Sequence, residues 1–259
     1  MGNLEFSDEA ARNQEAICNT DAFHEQRRIT LDALALADGE RVLDVGVGTG
    51  HMAFDMAQAT AGDNEIVGVD ISEDMLETCR GRCADLPNVS FEMADLYDLP
   101  FEEESFDVVL SVQVFEYLED VQKALLELRR VLQPGGRLVL RDADWGTLIW
   151  SSGNPDRMAH ILNIWDRHLA DPFLPRTLTS QLNNAGFVDC AVRAFVTVET
   201  EYDVNQTSYY IARFVAPYAI SQGADEREVA DWLADLEAQA AAGRYFYNLN
   251  SYIFSATKR

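Results

Sequence analysis

The sequence predicts an α/β fold in which buried parallel strands alternate with helices, and three observations support this. Short apolar runs at residues 42–45 and 65–70 are typical of strands that are covered on both faces. The stretches that follow them have the apolar spacing of helices. A glycine-rich turn at residues 46–50 joins the first strand to its helix. With 259 residues, 47% of them hydrophobic, the chain is long enough for one large domain, residues 1–259.

The predicted elements follow one another in a regular order. Residues 1–20 are polar and are expected to form an arm or a short helix. Strands are predicted at 42–45, 65–70, 89–94, 106–112, 137–141, 187–198 and 245–257. Helices are predicted at 21–36, at 51–60, from residue 72, at 119–132 and at 177–185. Residues 21–142 are interpreted as the cofactor-binding core, and 143–172 and 204–243 as helical insertions that form a substrate lid.

Charge and composition argue against several classes of partner. The formal net charge is -24, and such a surface repels phosphate backbones and anionic lipids, so no nucleic-acid substrate is expected. No apolar run is long enough to span a bilayer, and the first residues lack the features of a signal peptide, which favours a cytoplasmic protein. The four cysteines lack the spacing of a metal site, so no metal is expected. The excess of acidic residues, 44 Asp and Glu against 20 Lys and Arg, also leads to the hypothesis that the protein comes from a halophilic organism.

The glycine turn and the carboxylate before it indicate the kind of ligand. Glycine at positions 46, 48 and 50 lets the backbone approach a ligand closely, and the helix start offers free N–H groups to an anionic group. Residues 48–53 also satisfy the loose dinucleotide pattern. Asp44 decides against a dinucleotide, because its charge repels a pyrophosphate and attracts an ammonium or sulfonium group. S-adenosylmethionine (SAM) carries both cations. A plain strand–turn–helix is the alternative.

The same reasoning identifies two further carboxylates and one arginine as candidate ligand contacts. Asp70 ends the second strand, where its two oxygens are suited to the cis-diol of a ribose. Asp95 follows the third strand and either caps a helix or accepts a hydrogen bond from an adenine amino group. Arg28 is a candidate contact to a ligand carboxylate, whereas Arg27 is interpreted as solvated charge.

Four runs that occur in order over about residues 40–142 resemble one family: VLDVGVGTG, VGVD, ADLYDLPFEEESFDVVLS and LRRVLQPGGRLVL. They resemble the class I SAM-dependent methyltransferases, and among these the small-molecule enzymes related to the quinone-biosynthesis C-methyltransferases. The resemblance implies a Rossmann-like, doubly wound sheet of seven strands with helices on both faces and the last strand antiparallel. With Arg28 added, the candidate cofactor residues are Asp44, Gly46, Val47, Gly48, Thr49, Gly50, Asp70, Ile71, Met75, Ala94, Asp95, Leu96, Ser111 and Val112.

The resemblance also implies a role for several of these residues. Asp44 would neighbour the methionyl group, the glycine turn would wrap it, and Asp70 would hold the ribose. Ile71 would pack on the adenine, whose edge Asp95 and Leu96 would contact. The strand end at residues 111–112 would lie beside the sulfonium.

The acceptor side of the site is less well defined by the sequence. Many relatives have a histidine where this chain has Tyr117, which either contacts the substrate or packs. His168, His160, Asp144 and Tyr117 are the candidate bases, with the two histidines expected on one helical face. The catalytic candidates are His168, Tyr117 and Asp144. The substrate-binding candidates are Phe115, Tyr117, Trp145, His168 and Tyr209.

Together these features predict a SAM-dependent methyltransferase that acts on a small, aromatic or apolar organic molecule. Methylation of carbon, oxygen or nitrogen stays open. The alternatives are an NAD(P)-dependent oxidoreductase, although no Tyr-x-x-x-Lys pair is present, and a non-catalytic SAM-binding protein. The sequence leaves the oligomeric state open, with a homodimer as one candidate.

Overall fold

The computed structural model describes residues 8–60 and 62–259. Residues 1–7, on which part of the predicted N-terminal arm falls, lie outside the described residues. The chain forms two compact units. The core unit comprises residues 27–143, 173–194 and 252–259, and the accessory unit comprises the described residues up to 26 together with 144–172 and 195–251. The predicted single domain with a lid stays a prediction.

Helices and strands alternate through most of the chain. The helices are α1 Asp8–Cys18, α2 Asp21–Leu34, α3 His51–Ala59, α4 Glu73–Arg82, α5 Val121–Val131, α6 Pro155–Trp165, α7 Pro175–Asn184, α8 Thr207–Ser221 and α9 Glu226–Ala241. The strands are β1 Arg41–Val45, β2 Glu65–Asp70, β3 Val89–Met93, β4 Phe106–Val112, β5 Leu132–Trp150, β6 Phe187–Glu199 and β7 Tyr247–Lys258. Short 3₁₀ turns lie at Phe115–Tyr117 and Asp166–His168.

The sheet has seven strands in the order β3-β2-β1-β4-β5-β7-β6. The pairs β3-β2, β2-β1, β1-β4 and β4-β5 are parallel. The final strands are antiparallel, which confirms the predicted seven-stranded sheet. Strand order reverses between β1 and β4, and in open α/β sheets ligands bind outside the carboxyl ends of the strands at such a point.

Burial explains why these runs form the core. In β1, the four residues after Arg41 are buried, as expected of a strand covered on both faces. Helix α5 buries Ala124, Leu125 and Leu128 along one side, and these contribute to the main hydrophobic cluster. Ser72 caps α4, because its side chain accepts a hydrogen bond from the backbone N–H of Met75. Among the described residues, no helix has the length and apolar character needed to cross a bilayer.

Two predictions about residues 143–172 are wrong. Strand β5 continues to Trp150 instead of ending at residue 141, so the first part of the predicted helical insertion is extended. The long strand β7 lies next to β5 in the sheet and supplies the pairing that local sequence does not show. Helix α6 ends at Trp165, and His168 lies in the following 3₁₀ turn. His160 and His168 therefore do not share one helical face.

Candidate functional site

The glycine turn after β1 is held by the neighbouring strand. The backbone N–H groups of Gly46 and Val47 both donate to the carbonyl oxygen of Val69, at 2.8 and 3.0 Å. Gly46, Gly48 and Gly50 all have positive φ, at 71°, 57° and 80°. This left-handed region is costly for residues with a Cβ, which explains why the turn is built from glycine.

The three glycines are required for different reasons. A Cβ at Gly46 would overlap the side chain of Val114, and one at Gly50 would lie 3.0 Å from the Cys79 sulfur. A Cβ at Gly48 would meet no atom within 4 Å. Packing inside the protein therefore accounts for Gly46 and Gly50, whereas Gly48 borders open space. The open space beside Gly48, the glycine cradle, can be approached by a ligand, and a Cβ at residue 48 would fill part of it.

Asp70 connects the turn to β2. Its Oδ2 accepts a hydrogen bond from the backbone N–H of Gly48, and its Oδ1 accepts one from Ser72, both at 3.0 Å. Each carboxylate oxygen has a further lone pair, so Asp70 can hold the turn and still accept hydrogen bonds from a ligand. The next residue, Ile71, exposes 56% of its surface, which is unusual for an apolar side chain at the end of a buried strand.

Asp44 is the most unusual carboxyl group of the turn. Only 2% of its surface is exposed, and its Oδ2 has no hydrogen-bond partner among the described residues. Burial, and secondarily the charge of Asp70, raises the pKa of Asp44 from 3.8 to about 7. A buried carboxylate without a partner is costly, and a cation placed beside it would remove that cost. The residues present therefore fit the ammonium group of a SAM methionyl moiety.

Helix α4 supports the turn through two side chains that the sequence analysis missed. The Cys79 thiol donates to the carbonyl oxygen of Gly48 at 3.0 Å, and Arg82 Nε donates to that of Thr49 at 2.8 Å. Burial raises the pKa of Cys79 to about 12, so the thiol stays protonated and able to donate. The sequence contained one indication of this contact: Cys79 and Arg82 are three residues apart, which places both side chains on one side of α4.

The remaining cofactor candidates of the core unit follow the carboxyl ends of the strands. Ser111, buried at the end of β4, donates from Oγ to the carbonyl oxygen of Val45 at 2.9 Å. Ala94 donates its N–H to the carbonyl oxygen of Asp70 at 3.1 Å. Asp95 does not cap a helix; its Oδ1 accepts from the N–H of Tyr97 at 2.9 Å in a tight turn. Leu96 is buried, whereas Met75 in α4 and Val112 at the end of β4 are partly buried, and their predicted contacts with the cofactor stay predictions.

The two neighbouring arginines of α2 differ from the prediction in one case. Arg27 is buried and forms an ion pair with Asp55 at 2.7 Å, so its interpretation as solvated charge is wrong. Arg28 is exposed and forms an ion pair with Asp32 at 2.9 Å, one turn along the helix. Its predicted contact with a ligand carboxylate stays a prediction.

Comparison with known proteins agrees with this geometry. Residues 43–140 match the family model described as a methyltransferase domain. An uncharacterized 37.1 kDa protein in transposon TN4556 of Streptomyces fradiae is 30% identical over 250 residues, which cover 93% of this chain and 69% of that protein. The chain belongs to the class I SAM-dependent methyltransferases.

Two further proteins show how far the similarity extends. Demethylmenaquinone methyltransferase of Tropheryma whipplei is 40% identical over 114 residues, which cover 44% of this chain and 46% of that protein. The chain thus matches about half the length of this relative. The YcgJ protein of Bacillus subtilis has the same fold, with a TM-score of 0.66 and 20% identity over 91% of this chain and 99% of that one.

In this methyltransferase, two buried carboxyl groups that the sequence analysis also missed lie close together, Glu116 in the loop after β4 and Asp142 in β5. Glu116 and Asp142 expose 1% and 0% of their surfaces. The backbone N–H of Glu116 donates to Asp142 Oδ1 at 3.4 Å, and Asp142 Oδ2 has no hydrogen-bond partner among the described residues. The sequence analysis chose Asp144 instead, although both aspartates lie on the same face of the extended β5.

The predicted acceptor residues of the core unit have different surroundings. Phe115 is fully buried and packs in the hydrophobic cluster, and its predicted substrate contact stays a prediction. Tyr117 exposes 37% of its surface beside the carboxyl pair. Burial and the charges of Glu116 and Asp142 raise the pKa of Tyr117 above its usual value, so the phenol stays protonated. The protonated phenol can donate a hydrogen bond, and the predicted catalytic role of Tyr117 stays a prediction.

The structure brings together two of the acceptor candidates of the accessory unit. The rings of Trp145 and His168 lie 5.8 Å apart in an aromatic cluster with Trp165 and Tyr218. His168 Nδ1 hydrogen-bonds the carbonyl oxygen of Trp165, and burial lowers the pKa of His168 to about 4. The imidazole is therefore neutral at pH 7 and only weakly basic.

The other accessory-unit candidates have structural surroundings. Asp144 Oδ1 accepts a hydrogen bond from the N–H of Gly146 at 3.0 Å, inside β5. Tyr209 packs against the rings of Tyr202 and Tyr210, which lie 5.4 and 5.3 Å away. His160 is exposed, and its Nδ1 lies 2.9 Å from a carboxylate oxygen of Glu228. No group of three or more metal-ligating side chains occurs within the described part of the chain.

Proposed function

We propose that this chain binds SAM at the glycine turn and transfers its methyl group to a small organic acceptor with apolar or aromatic character. The observation that carries the proposal is the buried Asp44, whose unpartnered oxygen lies just before an open glycine cradle. A dinucleotide would place a pyrophosphate near this carboxylate, which Coulomb repulsion disfavours. The family match and the relatives named as small-molecule methyltransferases support the same conclusion.

The residues of the core unit supply the contacts that SAM requires. Asp44 would accept the ammonium group, the turn around Gly48 would contact the methionyl part, and Asp70 would accept hydrogen bonds from the ribose hydroxyls. Ile71 would offer an apolar surface to the adenine, and Asp95 would accept a hydrogen bond from its exocyclic amine. When bound, SAM supplies a methyl group that its sulfonium charge has already made electrophilic.

The chain's own contribution to the reaction is mainly binding and orientation. An activated methyl group needs a correctly aligned nucleophile more than strong acid or base catalysis. Consistent with this, none of the three predicted catalytic side chains is a strong base. His168 has a low pKa, Tyr117 stays protonated, and Asp144 already accepts a backbone hydrogen bond. These residues are proposed to contact or orient the acceptor, and their roles remain proposals.

Calorimetry with S-adenosylhomocysteine (SAH) and NADH tests the cofactor. We expect SAH to bind and NADH to give no heat of binding, because only SAH places an ammonium group at Asp44. Binding of NADH in place of SAH would support the oxidoreductase alternative and contradict the proposal. Incubation with methyl-labelled SAM and a metabolite extract then tests catalysis: label in an extract component is expected, and SAH binding without any transfer would indicate the non-catalytic alternative.

Two further proposals concern the protein's surroundings. A cytoplasmic location is supported by four cysteines that are all free thiols, as is usual in a reducing compartment. A homodimer also stays a proposal, which light scattering of the purified protein would test.

A further inference from the structure

A hollow of about 360 Å³, the cationic hollow, lies in the core unit at the amino ends of β4 and β5. Its charged lining residues are Glu103, Glu104, Arg129, Arg130, Lys258 and Arg259. Because β4 is parallel to β1, this end of the sheet is opposite to the glycine turn, which follows the carboxyl end of β1. The cationic hollow is therefore separate from the proposed cofactor site.

Two of its cations are held in place by the protein itself. The side chain of Lys258 is only 8% exposed, and its Nζ lies 3.2 Å from a carboxylate oxygen of Glu104 and donates to the carbonyl oxygen of Leu132 at 2.7 Å. A lysine ammonium group has three N–H donors, so one of them is left for a ligand. Arg130 forms an ion pair with Glu127 at 2.7 Å.

Arg129 differs from these two cations, because it has no hydrogen bond or ion pair with any residue that the structure describes. Its Nε is buried, and a Cβ at Gly186 would lie 3.2 Å from it, so the glycine after α7 makes room for the guanidinium. The Nη groups are the donors that a ligand in the hollow can reach. In a chain with 44 acidic residues against 20 basic ones, a partly buried arginine without a carboxylate partner calls for an explanation.

A structural role explains only part of the position of Arg129. It lies in the last turn of α5, where the negative end of the helix dipole favours a cation. The backbone N–H of Glu104 already donates to the carbonyl oxygen of Arg130 at 2.9 Å. The N–H of the next residue donates to the last carbonyl oxygen of the helix at 2.8 Å. The dipole accounts for a charge near the helix end, but not for an unpaired guanidinium beside an open hollow.

We propose that the cationic hollow binds a phosphate group, either as inorganic phosphate or as a phosphate monoester of a small molecule. Arg129 and the exposed Arg259 supply guanidinium N–H groups, and Lys258 supplies its remaining N–H. A carboxylate offers two oxygens, which one guanidinium fork already occupies, whereas a phosphate group has oxygens for more than one cation. This inference goes beyond the proposed function and does not depend on it.

The negative charge of the whole chain does not prevent such binding. At physiological ionic strength, exposed charges that are more than about 8 Å away are largely screened. Within the hollow, four cations face two carboxylates, and the balance stays positive when Glu127, the partner of Arg130, is added. Leu126, which also lines the hollow, is 52% exposed and offers an apolar surface to the organic part of a monoester.

Titration of the full chain with sodium phosphate, followed by calorimetry, tests the inference, with sodium chloride at equal ionic strength as the blank. We expect saturable binding to wild type. Arg129→Met keeps the length of the side chain and removes its charged donors, so it should bind phosphate at least about tenfold more weakly. Arg193→Met removes an exposed arginine of β6 and is the matched control, expected to bind like wild type.

A second probe separates the two sources of the phosphate group. Phenyl phosphate should bind more tightly than inorganic phosphate if the natural ligand is a monoester that contacts Leu126, and more weakly if it is inorganic phosphate. Thermal unfolding shows whether each variant is folded. If Arg129→Met does not fold, Arg259→Gln carries the test, because Arg259 is exposed, and its phosphate affinity should be about threefold lower.

The outcomes are distinct from those of the proposed function. Absence of saturable phosphate binding to wild type overturns the inference, and so does equal phosphate affinity of Arg129→Met and Arg193→Met. Phosphate that competes with SAH also overturns it, because the anion would then bind at the glycine turn. Absence of SAH binding to wild type contradicts the proposed function and leaves the phosphate site standing.

Discussion

Replacing Asp44 with asparagine tests the central electrostatic argument, because it removes the charge and keeps the shape. Burial raises the pKa of Asp44 from 3.8 to about 7, so between these values the folded state binds a proton that the unfolded state has lost. The contribution of Asp44 to stability therefore falls as pH rises through this window and is constant above it. A rise of this size corresponds to roughly 4 kcal/mol at pH 8.

The Asp44→Asn variant should therefore be more stable than wild type at neutral and alkaline pH. The new amide donor, if left unpaired, costs about 1–3 kcal/mol, so we expect a net gain of roughly 1–3 kcal/mol at pH 8. The difference in unfolding free energy between variant and wild type should grow by about 1.4 kcal/mol per pH unit between pH 5 and 7, then level off. Urea unfolding at a series of pH values measures it, and the subtraction cancels the other titrating groups.

The same change should weaken cofactor binding. Wild-type affinity for SAH should increase with pH up to about 7, as Asp44 ionises and pairs with the ammonium group, and the variant should lose about 2–5 kcal/mol of binding energy at pH 8. Methylthioadenosine, which lacks the amino-acid part of SAH, is the control ligand and should bind both proteins equally. If SAH and methylthioadenosine lose affinity together, Asp44 does not bind the ammonium group of SAH. If the variant gains no stability at pH 8, Asp44 is not a buried carboxylate that lacks a partner in the ligand-free protein.

Three further predictions follow from other residues. Gly48→Ala should weaken SAH binding by about 1–3 kcal/mol, because its methyl group fills the cradle. Gly39 also has a positive φ, 80° against 57° for Gly48, and open surroundings, so Gly39→Ala should lose similar stability but no SAH affinity, as thermal unfolding and calorimetry will show. Equal SAH affinities of the two variants would contradict the cradle. Arg27→Met should reduce the free energy of unfolding by about 3 kcal/mol, because it leaves the carboxylate of Asp55 without its ion-pair partner. Arg28→Ala removes an exposed ion pair and should change the free energy of unfolding by less than about 1 kcal/mol. Equal effects of the two variants in urea unfolding would refute this ranking. If the acidic surface reflects a halophilic source, molar KCl should raise the melting temperature, and unfolding on salt addition would refute that hypothesis.

The sequence predicted the part of the fold where local pattern and tertiary pairing agree. Strands β1, β2 and β4 are buried parallel strands whose apolar runs coincide with their hydrogen-bonded lengths. The glycine turn was predictable for the same reason, since positive φ and close approach both demand glycine. Asp44 and Asp70 occupy fixed places next to that turn, so their positions in the site could be predicted from spacing alone.

The missed features depend on contacts that are distant in sequence. The length of β5 reflects its place beside β7, and the burial of Arg27 reflects a partner 28 residues away, which local polarity does not reveal. Glu116 and Asp142 are 26 residues apart and meet only because β4 and β5 are neighbours in the sheet. A charged residue is usually exposed, and only the folded neighbourhood shows the exceptions.

Asp44 on β1 and Asp142 on β5, the two strands that flank β4, each have a buried carboxyl oxygen with no hydrogen-bond partner among the described residues. Each carboxyl group makes the ligand-free protein less stable when it is ionised, and either a proton or a bound cation removes that cost. For Asp44, which lies just before the glycine turn, the ammonium group of SAM is the cation that the proposed function supplies.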